Sequence, residues 1–479
     1  MLISASMVLL MTTPGLALFY GGMSRSKSVL NMMMMSFSAL AVVGIVYVLW
    51  GWNMTYGDSY ADADGGTGKE FLGLFANPFH NFGLGNIDPA NYVFVAFQLT
   101  FAVITAALIS GAIADRVKFS AWLVFVPLWV TLSYFPLAHM VWGGGFLTWA
   151  DGDGLAAMLF GSTDGLPNVA PIDYAGGTVV HINAGIAGLV LVLMLGKRLG
   201  FGKEPMKPHN LTLTMIGAGL LWFGWFGFNV GSIVFGSTEE EAMLTQFTTE
   251  TGLVWLNTTL ATCAAMLGWL VVEKVRDKHA TSLGAASGVV AGLVAITPAC
   301  GAVTLVGAIV LGAAAGVACS LAVGLKYKLG YDDSLDVVGV HLVGGLVGTI
   351  GIGLLAAPTA ATSAIPEGLL YGGGVKLLVV QLACAAFAMV WAAVATVIVA
   401  LLIKFTIGWR LADEDELSGI DFVEHGESAY DLDGASGARR RLHGGPAVLV
   451  GAAAPGGGAV EKDTDTETET ETETEGANA

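Results

Sequence analysis

Eleven apolar segments of membrane-spanning length occupy most of the first 403 residues of this chain. A helix needs about 20 apolar residues to cross a hydrocarbon core about 30 Å thick, where it satisfies its own backbone hydrogen bonds. Only 12% of the residues are charged and 54% are hydrophobic, far from the balance of a soluble domain. The sequence therefore predicts an all-α polytopic membrane protein. The predicted spans are 2–22, 29–51, 91–113, 119–142, 173–195, 210–235, 251–272, 281–299, 302–324, 336–356 and 375–403.

Basic residues alternate strongly between the two sets of connections. One set, with the stretch after the last span, holds 15 lysines and arginines, and the other holds two. Loops rich in lysine and arginine stay cytoplasmic, so we expect the N-terminus outside and the C-terminus in the cytoplasm of a plasma-membrane protein. Residues 1–22 lack a basic leader and a cleavage motif, and we interpret them as the first span rather than a signal peptide. The least certain boundary is the short turn Thr297–Gly301 between the eighth and ninth spans.

Several function classes find no support in the sequence. The 66 glycines recur as G-A-G and G-G-L-V-G inside spans, where small residues allow close helix crossings, and none follows a strand as a nucleotide-binding loop would. The four cysteines lie in or beside apolar runs, as packing residues do. No nucleophile–base set or metal shell is present, so we predict neither an enzyme nor a cofactor, and no nucleic-acid partner.

Two histidines lie inside apolar spans, in D-Y-A-G-G-T-V-V-H-I-N-A-G and D-V-V-G-V-H-L-V-G-G. If the first of these helices begins at Asp173, His181 lies roughly 12 Å below the membrane surface. An ionisable group at that depth typically marks a pathway, although a neutral histidine bonded to a neighbouring carbonyl is the simpler alternative. His341 follows five spans later, so the two segments run in opposite directions, as in an inverted repeat with its site at the midplane. Two histidines alone lack the further ligands of a zinc site.

The chain resembles the Amt/Mep/Rh ammonium transporters, specifically the Amt branch, over about residues 1–430. The resemblance is carried by P-G-L-A-L-F-Y-G-G-M-S-R-S-K-S, A-H-M-V-W-G-G-G, the two histidine segments, L-L-W-F-G-W-F-G-F-N-V-G-S and H-G-E-S-A-Y. It implies a homotrimer in which each subunit has eleven transmembrane helices, a five-plus-five inverted repeat and one additional C-terminal helix. It also implies one narrow path per subunit for ammonium or ammonia.

The resemblance implies roles for particular residues along that path. Phe101, Trp142 and Ser232 match the outer recruitment site, where aromatic faces and a hydroxyl attract the cation, with Asp173 helping from behind. Phe101 and Phe228 match a stacked gate, which apolar rings close by dewetting. His181 and His341 match the paired imidazoles beyond the gate, which can accept and donate hydrogen bonds without a fixed charge. Taken singly, aromatic residues near a membrane interface are more often interface or packing residues, and only the family resemblance groups these together.

Three acidic residues near the predicted spans could have structural roles or roles in the site. Asp173 and Asp336 both stand near a predicted helix N-terminus, where capping alone would explain a carboxylate. For Asp336 we favour that structural role. Asp333, in the inner loop, is a weaker candidate for organising the vestibule.

We divide the chain into a membrane domain at 1–410, a cytoplasmic regulatory segment at 411–430 and a disordered acidic tail at 431–479. The tail and segment together hold 17 acidic and 4 basic residues. The resemblance implies that 411–430 packs under a neighbouring subunit and that a trimeric PII-type signalling protein binds the same face. Leu417, Ile420, Phe422 and Tyr430 favour such docking, and a solvated linker is the alternative.

The function we expect is transport of ammonium across a membrane, with two rivals. One is an ammonium sensor of the same fold, although such proteins usually carry a fused signalling domain that this tail lacks. The other is a Rh-like ammonia or carbon dioxide channel, against which Trp142 argues. Residues 143–172 form a longer connection than in compact members of the family, and either cap the outer vestibule or form an inert excursion.

Overall fold

Long apolar helices make up most of the structure. The computed structural model describes residues 1–57, 70–204, 206–235, 239–359 and 365–430. Within these ranges, ten helices are long and apolar enough to cross a membrane. They are Leu2–Met23, Val29–Tyr56, Pro89–Ile113, Phe119–Trp142, Gly177–Leu195, Leu211–Val230, Glu240–Asp277, Leu305–Leu329, Val338–Leu355 and Lys376–Phe405. The prediction of an all-α polytopic membrane fold is confirmed.

The remaining predicted span is a shorter helix, Ser282–Ile296, of 15 residues. Its N-terminus is capped by Thr281, whose Oγ1 accepts a hydrogen bond 2.8 Å long from the Gly284 amide. After its end, hydrogen-bonded turns lead through the predicted boundary Thr297–Gly301 to the next helix. A helix of this length reaches only about 22 Å. We number it the eighth span, so that the eleven helices are the first to eleventh spans in chain order.

Several span boundaries differ from the prediction, and three of them matter most for the site. The seventh span begins at Glu240 instead of 251, because residues 240–250 are helical but too polar for a hydropathy search. The sixth ends at Val230 instead of 235. The fifth begins at Gly177 instead of Asp173, so His181 lies four residues into the helix and only about 6 Å along its axis.

Short elements lie in the connections. The antiparallel strands Glu70–Phe71 and Phe75–Ala76 pair with each other, as do Ser162–Thr163 and Leu166–Pro167. The connection 143–172 also contains the helix Leu155–Phe160. Two single 3₁₀ turns, Phe82–Leu84 and Leu369–Tyr371, complete the predicted outer side. After the last span come the helices Asp413–Ser418 and Ile420–His425.

The two histidine-bearing helices pack against each other at close range. A Cβ at Gly185 of the fifth span would lie 2.6 Å from the backbone nitrogen of Leu342 in the tenth. Both helices contain a wider, π-type turn around their histidine, Gly177–Ile182 and Val338–Leu342. Such turns are rare and frequently lie at functional sites. Three other spans also contain such a turn. It is the matching position of the histidine, one residue before the end of each turn, that supports the inverted repeat predicted from sequence.

Residues 1–430 form one compact unit. The predicted disordered tail lies outside the described residues. The boundary between the predicted membrane domain and the regulatory segment, at 410, falls within the compact unit.

Candidate functional site

A cavity of about 310 Å³ opens on the predicted outer side and brings together Phe101, Trp142 and Ser232. The rings of Phe101 and Trp142 lie edge to face, with centroids 5.9 Å apart and planes at 85°. The Trp142 indole N–H donates to the Asp173 carbonyl oxygen at 2.9 Å, which fixes the orientation of the ring. The Ser232 hydroxyl donates to the Phe228 carbonyl at 2.8 Å, so its oxygen remains free to accept.

The long connection 143–172 contributes to this mouth. Thr148, Trp149 and Ala150 line the same cavity. Backbone hydrogen bonds hold the connection in place, including Leu147 N–H to the Met140 carbonyl at 2.8 Å. Of the two interpretations of this stretch, its position favours a vestibule wall over an inert excursion.

Phe101 and Phe228 stack face to face below the mouth. Their centroids are 3.9 Å apart and their planes are inclined by 10°. Both side chains are almost fully buried. Phe101 lines the mouth cavity, whereas Phe228 lines a second, much smaller cavity on the other side of the stack. The pair therefore stands between the two cavities.

The smaller cavity is lined by both histidines. The Nδ1 atoms of His181 and His341 lie 3.3 Å apart, and the rings are inclined by 17°. One ring nitrogen must donate and the other accept, so one Nδ1 carries a proton. The cavity volume is about 10 Å³, room for roughly one water-sized molecule. Among the described residues, no group of three or more histidine, cysteine or acidic side chains could hold a metal ion.

Trp225 is a lining residue that the sequence analysis missed. Its ring stacks on the His181 imidazole, with centroids 5.4 Å apart and planes at 17°. Its indole N–H donates to Thr297 Oγ1 at 2.7 Å, which locks the ring in place. The spacing in W-F-G-W-F-G-F could have revealed it, because residues three apart share a helix face and Phe228 is three residues further on.

The carboxylate of Asp173 is surrounded by donors from the start of the fifth span. It accepts backbone hydrogen bonds from Gly176, Gly177 and Thr178 at 2.6–2.9 Å, and another from the Thr178 hydroxyl. Gly176 has a φ of 115°, a left-handed conformation that suits glycine and turns the chain into the helix. The helix-capping interpretation of Asp173 therefore holds, with the carboxylate acting from before the helix.

The corresponding cap on the tenth span is Asp333, and our assignment of that role to Asp336 was wrong. Asp333 accepts from the backbone amides of Val337 at 3.0 Å and Val338 at 2.7 Å. Asp336 instead pairs with Lys326 Nζ at 2.5 Å. Asp333 precedes His341 by eight residues, as Asp173 precedes His181. From the sequence we had matched Asp173 with Asp336, because Asp336 begins the segment D-V-V-G-V-H that contains the second histidine.

The segment 411–430 lies against the predicted inner connections of its own chain. Asp421 accepts from the amides of Leu30 at 3.0 Å and Asn31 at 2.8 Å, and so caps the second span. Glu424 accepts from the Phe119 amide at 3.1 Å, at the start of the fourth. Glu416 accepts from the Leu199 amide at 2.7 Å. The solvated-linker alternative is therefore wrong.

The apolar residues expected to drive this docking behave differently from the prediction. Ile420 is buried, but Leu417 and Phe422 are 63% and 69% exposed. The Tyr430 hydroxyl lies 3.0 Å from His209 Nε2. Carboxylates directed at helix N-termini, together with Ile420 and Tyr430, hold the segment.

A buried ion network lies beside this segment. Asp115 pairs with Arg25 at 2.9 Å and Arg198 at 3.2 Å, and Asp332 pairs with Arg198 at 2.8 Å. Burial alone would raise the pKa of both carboxyls, but the arginines outweigh it and hold each pKa below its ordinary value. The network ties the first, third, fifth and ninth connections together on the predicted inner side.

Comparison with known proteins gives consistent results across the chain. The family model described as Ammonium Transporter Family matches residues 1–430. An ammonium transporter of Mycobacterium tuberculosis is 52% identical, with 91% of this chain and 90% of the relative covered. The crystal structure of Saccharomyces cerevisiae Mep2 has a TM-score of 0.71 at 31% identity and covers 86% of each chain. A structure titled sensor Amt protein has a TM-score of 0.72 at 27% identity, covering 88% of this chain and 96% of its own.

Proposed function

The chain belongs to the ammonium transporter family, and we propose that it recruits the ammonium ion at the outer aromatic mouth and conducts ammonia past the paired histidines. The observation that carries the proposal is the Phe101–Phe228 stack, which stands between the mouth cavity and the histidine cavity. A charged ion is attracted on one side of the stack and finds an apolar, water-sized space on the other.

Recruitment follows from the chemistry of the mouth. The ring faces of Phe101 and Trp142 offer cation–π attraction of about 0.5–2 kcal/mol, and the Ser232 oxygen offers an acceptor. Asp173 contributes its charge from behind Trp142 without touching the ion, since backbone amides already occupy its oxygens. Loss of hydration costs a buried ion several kcal/mol, so these contacts suffice to collect the cation but not to carry it through.

Passage follows from the gate and the histidines. Potassium and sodium find no replacement ligands between two stacked rings, whereas a neutral amine needs few. Beyond the stack, His181 and His341 supply one acceptor and one donor to a small amine. A proton left at the mouth either stays outside or is relayed separately along the imidazole pair, and the two cases differ in the charge that crosses.

The proposal also covers the membrane location, the orientation, the assembly and the partner of the protein. The multi-pass chain acts in the plasma membrane with its N-terminus outside, and it assembles as a homotrimer. The exposed Leu417 and Phe422 are available to a neighbouring subunit. The face formed by 411–430 is where a PII-type signalling protein binds.

Proteoliposomes test the function directly. An ammonium pulse should produce uptake and an inward current or an internal pH change that protein-free vesicles lack, while potassium and sodium pulses produce none. An ammonium sensor would bind the cation without comparable flux, and a Rh-like channel would conduct carbon dioxide as well. Absence of any ammonium-dependent flux would overturn the transport proposal.

A further inference from the structure

Besides the mouth cavity and the histidine cavity there is a third cavity, of about 280 Å³. It lies next to the mouth cavity and shares Trp142, Tyr174 and Ser232 with it. We propose that this side cavity is a separate binding site for a small monovalent cation, and that Glu250 supplies its charge. That the cation is ammonium or methylammonium rests on the proposed function. That a cation site exists depends only on the cavity and the Glu250 carboxylate in its wall.

Glu250 is a buried carboxylate with unused capacity. It is 4% exposed and lies on the seventh span, in the part that hydropathy did not detect. One oxygen accepts from the Tyr174 hydroxyl at 2.8 Å and the other from Gln246 Nε2 at 2.7 Å. A carboxylate has about four acceptor positions, so about two remain for a ligand.

The charge on Glu250 has no basic partner in the cavity. Among the described residues that line it, none is a lysine, arginine or histidine. Asp173 also lines the cavity, but its oxygens are taken by the amides of the fifth span. A buried negative charge without a counter-ion is costly, and a bound monovalent cation removes that cost.

The remaining lining suits such a cation. Trp142 and Trp149 border the cavity with indole rings, which attract cations through their faces. Thr349 lines it as well, is 1% exposed, and its hydroxyl has no hydrogen-bond partner among the described residues. A carboxylate, a spare hydroxyl and two indoles thus give the cavity oxygen acceptors and aromatic faces for a small, singly charged cation.

Position suggests what the site does. Because Trp142 and Ser232 border both cavities, a cation beside Glu250 lies one side chain away from the mouth. Such a site raises the local concentration of substrate at the entrance, as a focused negative potential does. Its removal should weaken apparent affinity while leaving the maximal rate unchanged.

The test combines a heavy cation with two matched substitutions. Crystals of the full protein are soaked with thallium(I), a monovalent ion of ammonium-like size whose anomalous scattering marks its position. The variants are Glu250→Gln, which keeps the hydrogen-bond acceptor but loses the charge, and Glu241→Gln. Glu241 is exposed on the same helix and serves as the control for an equal charge change. Thermal unfolding of each variant verifies that the fold is retained.

We expect anomalous density beside Glu250 in the wild type and in Glu241→Gln, and none there in Glu250→Gln. Methylammonium uptake should show a half-saturating concentration about fivefold higher in Glu250→Gln and unchanged in Glu241→Gln, a ratio that corresponds to about 1 kcal/mol. No density in the wild type, or equal density with and without the carboxylate, overturns the site. If the wild type does not transport, the proposed function is wrong. The thallium density would still decide independently whether the cation site exists.

Discussion

The Nδ1 atoms of His181 and His341 lie 3.3 Å apart, although 160 residues separate them in the chain. The contact is possible because glycines bring the fifth and tenth spans close together at this level. Neither ring faces a metal cluster among the described residues. The two histidines therefore contact each other, His181 also stacks on the Trp225 ring, and both border the narrow cavity.

The first prediction concerns this pair. If the imidazoles relay a proton separately from ammonia, replacing either by Asp or Glu should change the ratio of charge to nitrogen moved, or admit other cations. The double variant His181→Ala, His341→Ala should lose ammonium-driven current in proteoliposomes. His279→Ala, an exposed histidine, should behave as the wild type. Wild-type current and selectivity in the double variant would exclude the relay.

The second prediction concerns the mouth. Trp142→Leu removes a ring face and the hydrogen bond to the Asp173 carbonyl. Apparent affinity for methylammonium should fall by about three- to tenfold, equivalent to roughly 1 kcal/mol. Discrimination against potassium should weaken too. The control is Trp255→Leu, which removes a half-exposed indole that stacks on Phe226. An unchanged concentration dependence in Trp142→Leu would remove its role in recruitment.

The third prediction concerns the docked segment. Asp421→Ala leaves the Leu30 and Asn31 amides without acceptors, and loss of a helix cap costs about 1–2 kcal/mol. The melting temperature and uptake should both decrease. Glu414→Ala, on an exposed side chain nearby, should change neither. Equal melting temperatures for the two variants would show that the cap is not important.

Truncation tests the same segment as a whole. Ending the chain after Tyr430 should leave uptake nearly intact, because the compact unit ends there. Ending it after Arg410 should reduce uptake and abolish co-purification of a PII-type partner. If both truncated proteins transport and retain a partner equally, residues 411–430 have no regulatory role.

The fourth prediction concerns acid. The pKa values of Asp115 and Asp332 are lower in the folded protein than in an unfolded chain. Their contribution to stability is therefore complete above the unfolded pKa of about 3.9, and it is lost as pH falls through the folded values. Melting temperature should decline below about pH 4. Asp115→Asn should lower the melting temperature at pH 7 and flatten this decline, and an unaltered acid profile would contradict the assignment.

Hydropathy predicted the fold well because the membrane imposes a simple rule on every span. It missed the first turns of the seventh span, where Glu240 and Glu250 lie in a polar stretch. Polarity there does not prevent helix formation, since the helix extends beyond the apolar length that a bilayer requires. The side cavity was missed for the same reason, because Glu250 stood outside any predicted element.

Only those site residues that belong to a family motif could be predicted from the sequence. The resemblance named the residues that the structure gathers at the mouth, the Phe stack and the histidine pair. It did not distinguish Asp333 from Asp336, because backbone geometry decides which carboxylate reaches the helix amides. Nor did it predict that carboxylates rather than Leu417 and Phe422 dock the C-terminal segment. Such contacts join residues hundreds of positions apart, and no local pattern records them.

The cap that Asp421 places on the second span also has a consequence for biosynthesis. The Leu30 amide leaves the ribosome 391 residues before its acceptor does, and the Phe119 amide leaves 305 residues before Glu424. Both helices must therefore enter the membrane with open inner ends and wait for the final part of the compact unit. A nascent chain that stops short of Asp421 therefore leaves the inner ends of both helices without these acceptors.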